Sequence, residues 1–285
     1  MTRKRQAGFP SGGRYRAALF ALGLFALSAA PAGAVTITAQ FLSFTTPPST
    51  RGGGNLTDIF DTAIGYWEKA IPSPGSVNIG YGWAKLKKEN VLADTISIPS
   101  WNLSLIGFNS AGADWSWFLD PTPTGNSEYS TFTSSHADLG GAPVNTGRVF
   151  TGANGAAAGN YDLLSVALHE IGHALGFIST ASLYSNSIEV TFPRPDAGTR
   201  VPATASDSTD AGHITISTAN LYPSLTPGTR KLLTGVDILG VAQLAGFGQV
   251  DLDPVPVPLP GGLVLMVSGI VALGVRAAAG RRRAA

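Results

Sequence analysis

Residues 169–180 read HEIGHALGFIST. His169 and His173 are four apart, so on a helix their imidazoles stand on one face, a turn from each other, and can chelate one ion. Glu170, beside the first histidine, can reach a water on that ion without being a ligand. Zinc polarises such a water and lowers its pKa towards ~7, while the glutamate takes the proton and later delivers it to a leaving amine. The chain has no cysteine and only four histidines, His136, His169, His173 and His213. Any transition metal therefore sits on imidazole and carboxylate, and a hydrolytic zinc needs a third protein ligand that the motif itself does not supply.

The elements that must carry these residues are legible to different degrees. Asn160 is a suitable N-cap for a helix from Asp162 to about Gly176, with Asp162 near the positive end of its dipole. Leu163, Leu164, Val166, Ala167, Leu168, Ile171, Ala174 and Leu175 surround the histidines, as a buried metal helix requires. Gly176, three residues after His173, can take the left-handed conformation that ends the helix and turns the chain under the metal. Downstream, three sources of the third ligand compete. Glu189 lies in the strand-like SIEVTF; Asp196, Asp207 and Asp210 lie in a stretch rich in Ser, Thr, Pro and Asp; His213 lies in STDAGHITIS.

Upstream, Asn55 caps a helix with Asp58 as its partner, and Leu56, Ile59, Phe60, Ala63, Ile64, Trp67 and Ile71 follow the helical period until Pro72. Val77, Ile79, Tyr81 and Trp83 alternate with Asn78, Gly80 and Gly82, the pattern of a half-buried strand. DTISIP, NLSLIGF and Trp115–Leu119 continue the strand character, and a Pro-containing turn then leads to an edge segment. One of Trp115 and Trp117 faces the core. Residues 35–150 therefore read as one helix on a twisted sheet. A last helix runs from Gly235 to Ala245, with Thr234 as cap and Asp237 as its N3 partner. Glu128 and His136 read as surface residues.

The two ends read as targeting segments. Residues 1–34 have the order of a secretory signal: a basic start, an apolar run from Ala17 to Ala30, and Ala32-Gly33-Ala34 as cleavage site. Residues 251–260 form a Pro-rich linker, and 261–285 carry a short apolar segment, Leu263 to Val275, closed by Arg276 and Arg281–Arg283. Between Val35 and Pro260 the chain holds 10 basic and all 18 acidic residues, a net charge of −8. Such a body is a poor partner for nucleic acid or an anionic membrane, so membrane contact is expected only through the C-terminal segment.

Two resemblances extend this reading. His169, Glu170, His173 and Gly176 match H-E-x-x-H-x-x-G, so the stretch resembles the start of the metzincin pattern; the family then expects His or Asp where this chain has Ser179. Val257, Pro258, Leu259, Pro260 and Gly261, followed by the apolar run and the arginines, resemble a VPLPA-type PEP-CTERM sorting signal, which implies an exosortase-type processing enzyme as partner. Over roughly residues 115–247 of the body, residues 35–250, the chain is similar to the metzincin-like proteases that accompany such signals, in which a FLDPTP…SEY edge segment precedes the zinc helix and a His precedes an MDP-type turn. In GHITISTANLYPSLTPG, His213 precedes Leu221-Tyr222-Pro223, then Leu225, Pro227 and Gly228.

The resemblance implies His213 as third ligand and Leu221 in the place of the family's methionine, since the only methionines are Met1 and Met266. Tyr222 beside it can donate a hydrogen bond to a tetrahedral oxyanion, or serve the turn alone. The fold it implies is α+β and zincin-like (metzincin-like): a mixed twisted sheet, the HExxH helix and a small C-terminal subdomain. The expected activity is that of an exported, periplasmic or surface-associated Zn2+ endopeptidase with Glu170 as general base. Its peptide would lie along the edge segment before the zinc helix. A zinc-binding surface or matrix protein with little or no turnover is the alternative, and a zinc hydrolase acting on other bonds is a third reading.

Overall fold

The computed structural model describes residues 33–42, 45–88, 90–110, 115–177, 187–191, 196–204 and 212–254. Most of the signal-like segment, Ser179, Asp207, Asp210, the end of the linker and the sorting-signal segment lie outside the described residues. No helix among the described residues is long and apolar enough to cross a membrane.

The chain is a mixed α+β protein with a mixed sheet. Strands β1 (Val35–Phe41), β3 (Gly75–Ala84), β5 (Leu103–Asn109) and β4 (Ala93–Ile98) lie side by side in that order. β1, β3 and β5 are parallel, and β4 closes one edge antiparallel to β5, pairing Thr95 with Ile106. The parallel pair β1–β3 needs a crossover, which α1 (Leu56–Ala70) supplies. The Asn55 side chain accepts from Asp58 N at 2.8 Å, and Asp58 Oδ2 accepts from Asn55 Nδ2 at 2.6 Å. The expected apolar face is buried except for Ile64, which is half-buried, while Tyr66 and Ala70 join it. Phe60 stacks on Tyr81 with centroids 3.8 Å apart, and Trp83, Phe108 and Trp117 pack edge to face or tilted around them.

Two expectations for this half are corrected. β3 is not half-buried, because Leu42 and Leu105 cover its glycine side: a Cβ on Gly80 would meet Leu42 Cδ1 at 2.5 Å. Residues 35–150 also form more than one sheet. Short strands β2 (Thr50–Arg51), β6 (Trp117–Phe118) and β9 (Tyr161–Asp162) pair in parallel. The long strands β7 (Tyr129–Asp138) and β8 (Pro143–Ala153) form a hairpin, with β12 (Arg230–Lys231) on its far side. β8 was hidden because its PVNTGRVFTGA alternates only weakly between apolar and polar residues. Trp117 is buried and Trp115 half-buried.

β10 (Ser187–Glu189), the start of the strand-like SIEVTF, pairs antiparallel with β11 (Arg200–Pro202). α3 (Gly235–Ala245) has the capping box expected of Thr234 and Asp237. The residues that bury it belong to the same apolar cluster as α1, α2 (Leu163–Ala174) and the four-stranded sheet. α1 and α2 are locked together by Trp67 Nε1, which donates to Leu168 O at 2.8 Å in the buried interior.

Candidate metal centre

α2 is held at its start by charge. Its N-cap is Asp162 rather than Asn160: Asp162 Oδ2 accepts from Ser165 N at 2.9 Å and from Ser165 Oγ at 2.6 Å. Asn160 instead donates to the carbonyls of Ala156 and Ala158 and accepts from Ser116 Oγ, shaping the turn before β9. Arg230, wholly buried, pairs with Asp162 at 2.8 Å and Asp120 at 2.7 Å. A short acidic side chain wins the cap because it meets both the helix N–H groups and a buried guanidinium. The helix ends at Leu175, and Gly176 takes φ 121°, a positive value that its lack of a Cβ permits.

At the other end of this helix the histidines converge. His169 Nε2 and His173 Nε2 are 3.0 Å apart. His213 joins them, so that one ring nitrogen of each lies within 4.8 Å of the others; among the described residues, no carboxylate belongs to this cluster. His169 Nδ1 lies 2.9 Å from Asn220 O, and His173 Nδ1 lies 2.5 Å from Phe177 O. A carbonyl only accepts, so each Nδ1 carries the proton and each Nε2 presents a lone pair. Desolvation by burial, with the neighbouring imidazoles adding to it, holds His169 well below its usual pKa and His173 down to about 4. Two neutral rings thus aim lone pairs at each other across 3.0 Å, an arrangement that a shared cation relieves. Three imidazoles and no thiolate or carboxylate suit a borderline transition ion such as Zn2+.

His213 reaches the cluster through backbone bonds. Thr204 N donates to His213 O at 2.9 Å, Ala203 bridges to Ile214, and Ile214 N donates to Leu221 O at 2.9 Å. Leu221 is fully buried beneath α2, where Gly172 makes room for it: a Cβ there would meet Leu221 Cδ2 at 2.8 Å. Asp237 fixes this turn, accepting from Asn220 N at 3.0 Å and Leu221 N at 2.9 Å while completing the cap of α3.

Glu170 is buried on the same helix and is not among the ring nitrogens' neighbours in the cluster. Thr95 Oγ1 on β4 donates to its Oε2 at 2.5 Å. Burial raises its pKa to about 7, with the Thr95 bond pulling the other way and the charge of Asp94 pushing it further up. The histidines, Glu170, Thr95 and Tyr222 all line one cleft of about 930 Å3.

The segment expected at the edge before the helix does form an edge strand, β7 on β8, but the edge strand that borders the cleft is β4, which corrects the expected path of a peptide. Asn109 N bonds to Leu92 O, so along the ladder Ala93, Thr95 and Ser97 turn their peptide groups away from β5. On β4 the apolar Ile96 is 55% exposed while Thr95 and Ser97 line the cleft. This inverted alternation is visible in DTISIP and is the signal that could have singled out Thr95. Glu189 lies on β10, exposed and 3.7 Å from Arg200, and His136 is exposed on β7. Glu128 is half-buried rather than a plain surface residue. Asp196 is half-buried before β11, and no metal-ligating cluster among the described residues includes it.

Comparison of the chain with protein-family models, with curated proteins and with solved structures finds no match.

Proposed function

We propose that this chain is an exported zinc-dependent endopeptidase of zincin-like fold, its ends carrying the secretory and exosortase-type sorting signals and its body, residues 35–250, the peptidase. The observation that carries this reading is the convergence of His169, His173 and His213 beside a buried glutamate in an open cleft. A zinc ion, when bound, supplies Lewis-acid polarisation of water and of the scissile carbonyl. Glu170 takes the proton from the attacking water and passes it to the leaving amine; a carboxyl poised near 7 suits both transfers at neutral pH. Thr95 holds that carboxylate in place. An extended peptide gains main-chain hydrogen bonds from Ala93, Thr95 and Ser97 along β4. Tyr222 also lines the cleft and donates to the developing oxyanion.

The test is Glu170→Gln in the full chain, with zinc content and cleavage of a denatured protein substrate followed together. The expected result is zinc retained and cleavage abolished. Cleavage that persists contradicts the mechanism, and zinc with no cleavage even in the wild type supports a zinc-binding surface protein instead.

A further inference from the structure

Lys231 has no part in the chemistry above, yet the fold brings it to the same cleft. Its N donates to Ser165 Oγ at 2.8 Å and its O accepts from Asn220 Nδ2 at 3.0 Å. Ser165 stands four residues before His169 on α2, so β12 delivers Lys231 to the cleft wall about one helical turn from the first imidazole. Its Nζ donates to Ser217 O at 2.7 Å and Ser224 O at 2.9 Å and lies 5.0 Å from the centre of the Tyr222 ring. All of these partners are neutral. An ammonium has three donors, and the described residues engage two of them.

The neighbouring residue shows what a compensated cation looks like here: Arg230 is buried against two carboxylates. Lys231 is 7% exposed and forms no ion pair with any described carboxylate. A cation taken out of water without a direct ion-pair partner is costly, and burial draws its pKa down to about 8 against the opposing pull of the Asp237 carboxylate, which still leaves it charged at neutral pH. The carboxylates lining the cleft, Asp94 and Glu170, belong to β4 and to the Glu170 side of α2 and repel an anion there.

We propose that Lys231 is a specificity-determining residue that selects an acidic side chain of the peptide, Asp or Glu, bound between α2 and the Tyr222–Leu225 segment. The substrate carboxylate then supplies the direct ion-pair partner that Lys231 lacks among the described residues. This rests on the peptidase reading.

The test uses the zinc-loaded full chain and a set of fluorescent peptides identical except for Glu, Gln, Leu or Lys at one position, scanned across both sides of the cut. At one fixed position Glu should exceed Gln in kcat/KM by about tenfold, the size of one charge-assisted hydrogen bond. Lys231→Met should bring that ratio to near one with zinc content retained. Lys231→Gln, which keeps a donor for Ser217 and Ser224, replaces it if the Met variant does not fold. Binding of the same peptides to Glu170→Gln, read by anisotropy, should give the same ratio. A wild-type Glu/Gln ratio near one at every position, or a preference that survives loss of the lysine, overturns the proposal. Lys231-dependent binding without cleavage overturns the peptidase reading alone.

Discussion

His169 and His173 come from neighbouring turns of one helix, whereas His213 arrives from a segment beyond β11 that no regular element carries. The first pair needs only an anchored helix, and a buried ion cluster at Asp162 provides the anchor. The third arm needs a chain of backbone bonds, from Thr204 to His213, from Ile214 to Leu221, and from Leu221 to Asp237 at the start of α3. Two imidazoles are thus fixed by local geometry and one by long-range hydrogen bonding. Damage to the two supports should be separable.

The largest effect falls on the anchor of α2. Arg230→Met leaves Asp120 and Asp162 buried without a counter-charge and should cost about 3–5 kcal/mol in urea unfolding. Unchanged stability would show that the ion cluster is not what fixes α2.

Next comes Glu170. The unfolded chain ionises Glu170 from about its ordinary 4.5, the folded chain only from about 7, so the folded state is disfavoured across that window and bears the full penalty above it. In the metal-free protein Glu170→Gln should therefore raise stability at pH 8 by about 3 kcal/mol, the gain fading as pH falls through 7 and vanishing below 4.5. Thermal unfolding as a function of pH reads this directly, and a gain independent of pH counts against it.

Asp237→Ala should then separate the arms. It removes the acceptor for Asn220 N, Leu221 N and the Thr234 cap, a loss of about 2–3 kcal/mol. Metal affinity should drop with it while the helicity of α2 stays. The smallest effect is Gly172→Ala. Alanine gains about 1 kcal/mol over glycine in an open helix, but here its Cβ meets Leu221 at 2.8 Å and Trp67 at 3.1 Å, so a net loss of about 1–2 kcal/mol is expected. A net gain would mean that Leu221 yields freely.

Sequence spacing made the local arm legible: H-E-x-x-H, the glycine after it, and the caps at Asn55 and Thr234 are all short-range signals. Asn160 misled as a cap because the choice of Asp162 depends on Arg230, which lies far along the chain. The hydrogen bond from Thr95 to Glu170 and the approach of Lys231 to the cleft were equally invisible, since each joins elements through the fold. His213 was one of three candidates from the residues alone, and only a resemblance of the residues around Leu221-Tyr222-Pro223 set it above the others.

The central claim is that three imidazoles, one of them from His213, hold one zinc ion. X-ray absorption spectroscopy and metal analysis of the full chain should give one zinc with three histidine nitrogens in the wild type, and in His213→Ala a loss of zinc or a fall to two nitrogens. An unchanged coordination shell in His213→Ala would contradict it.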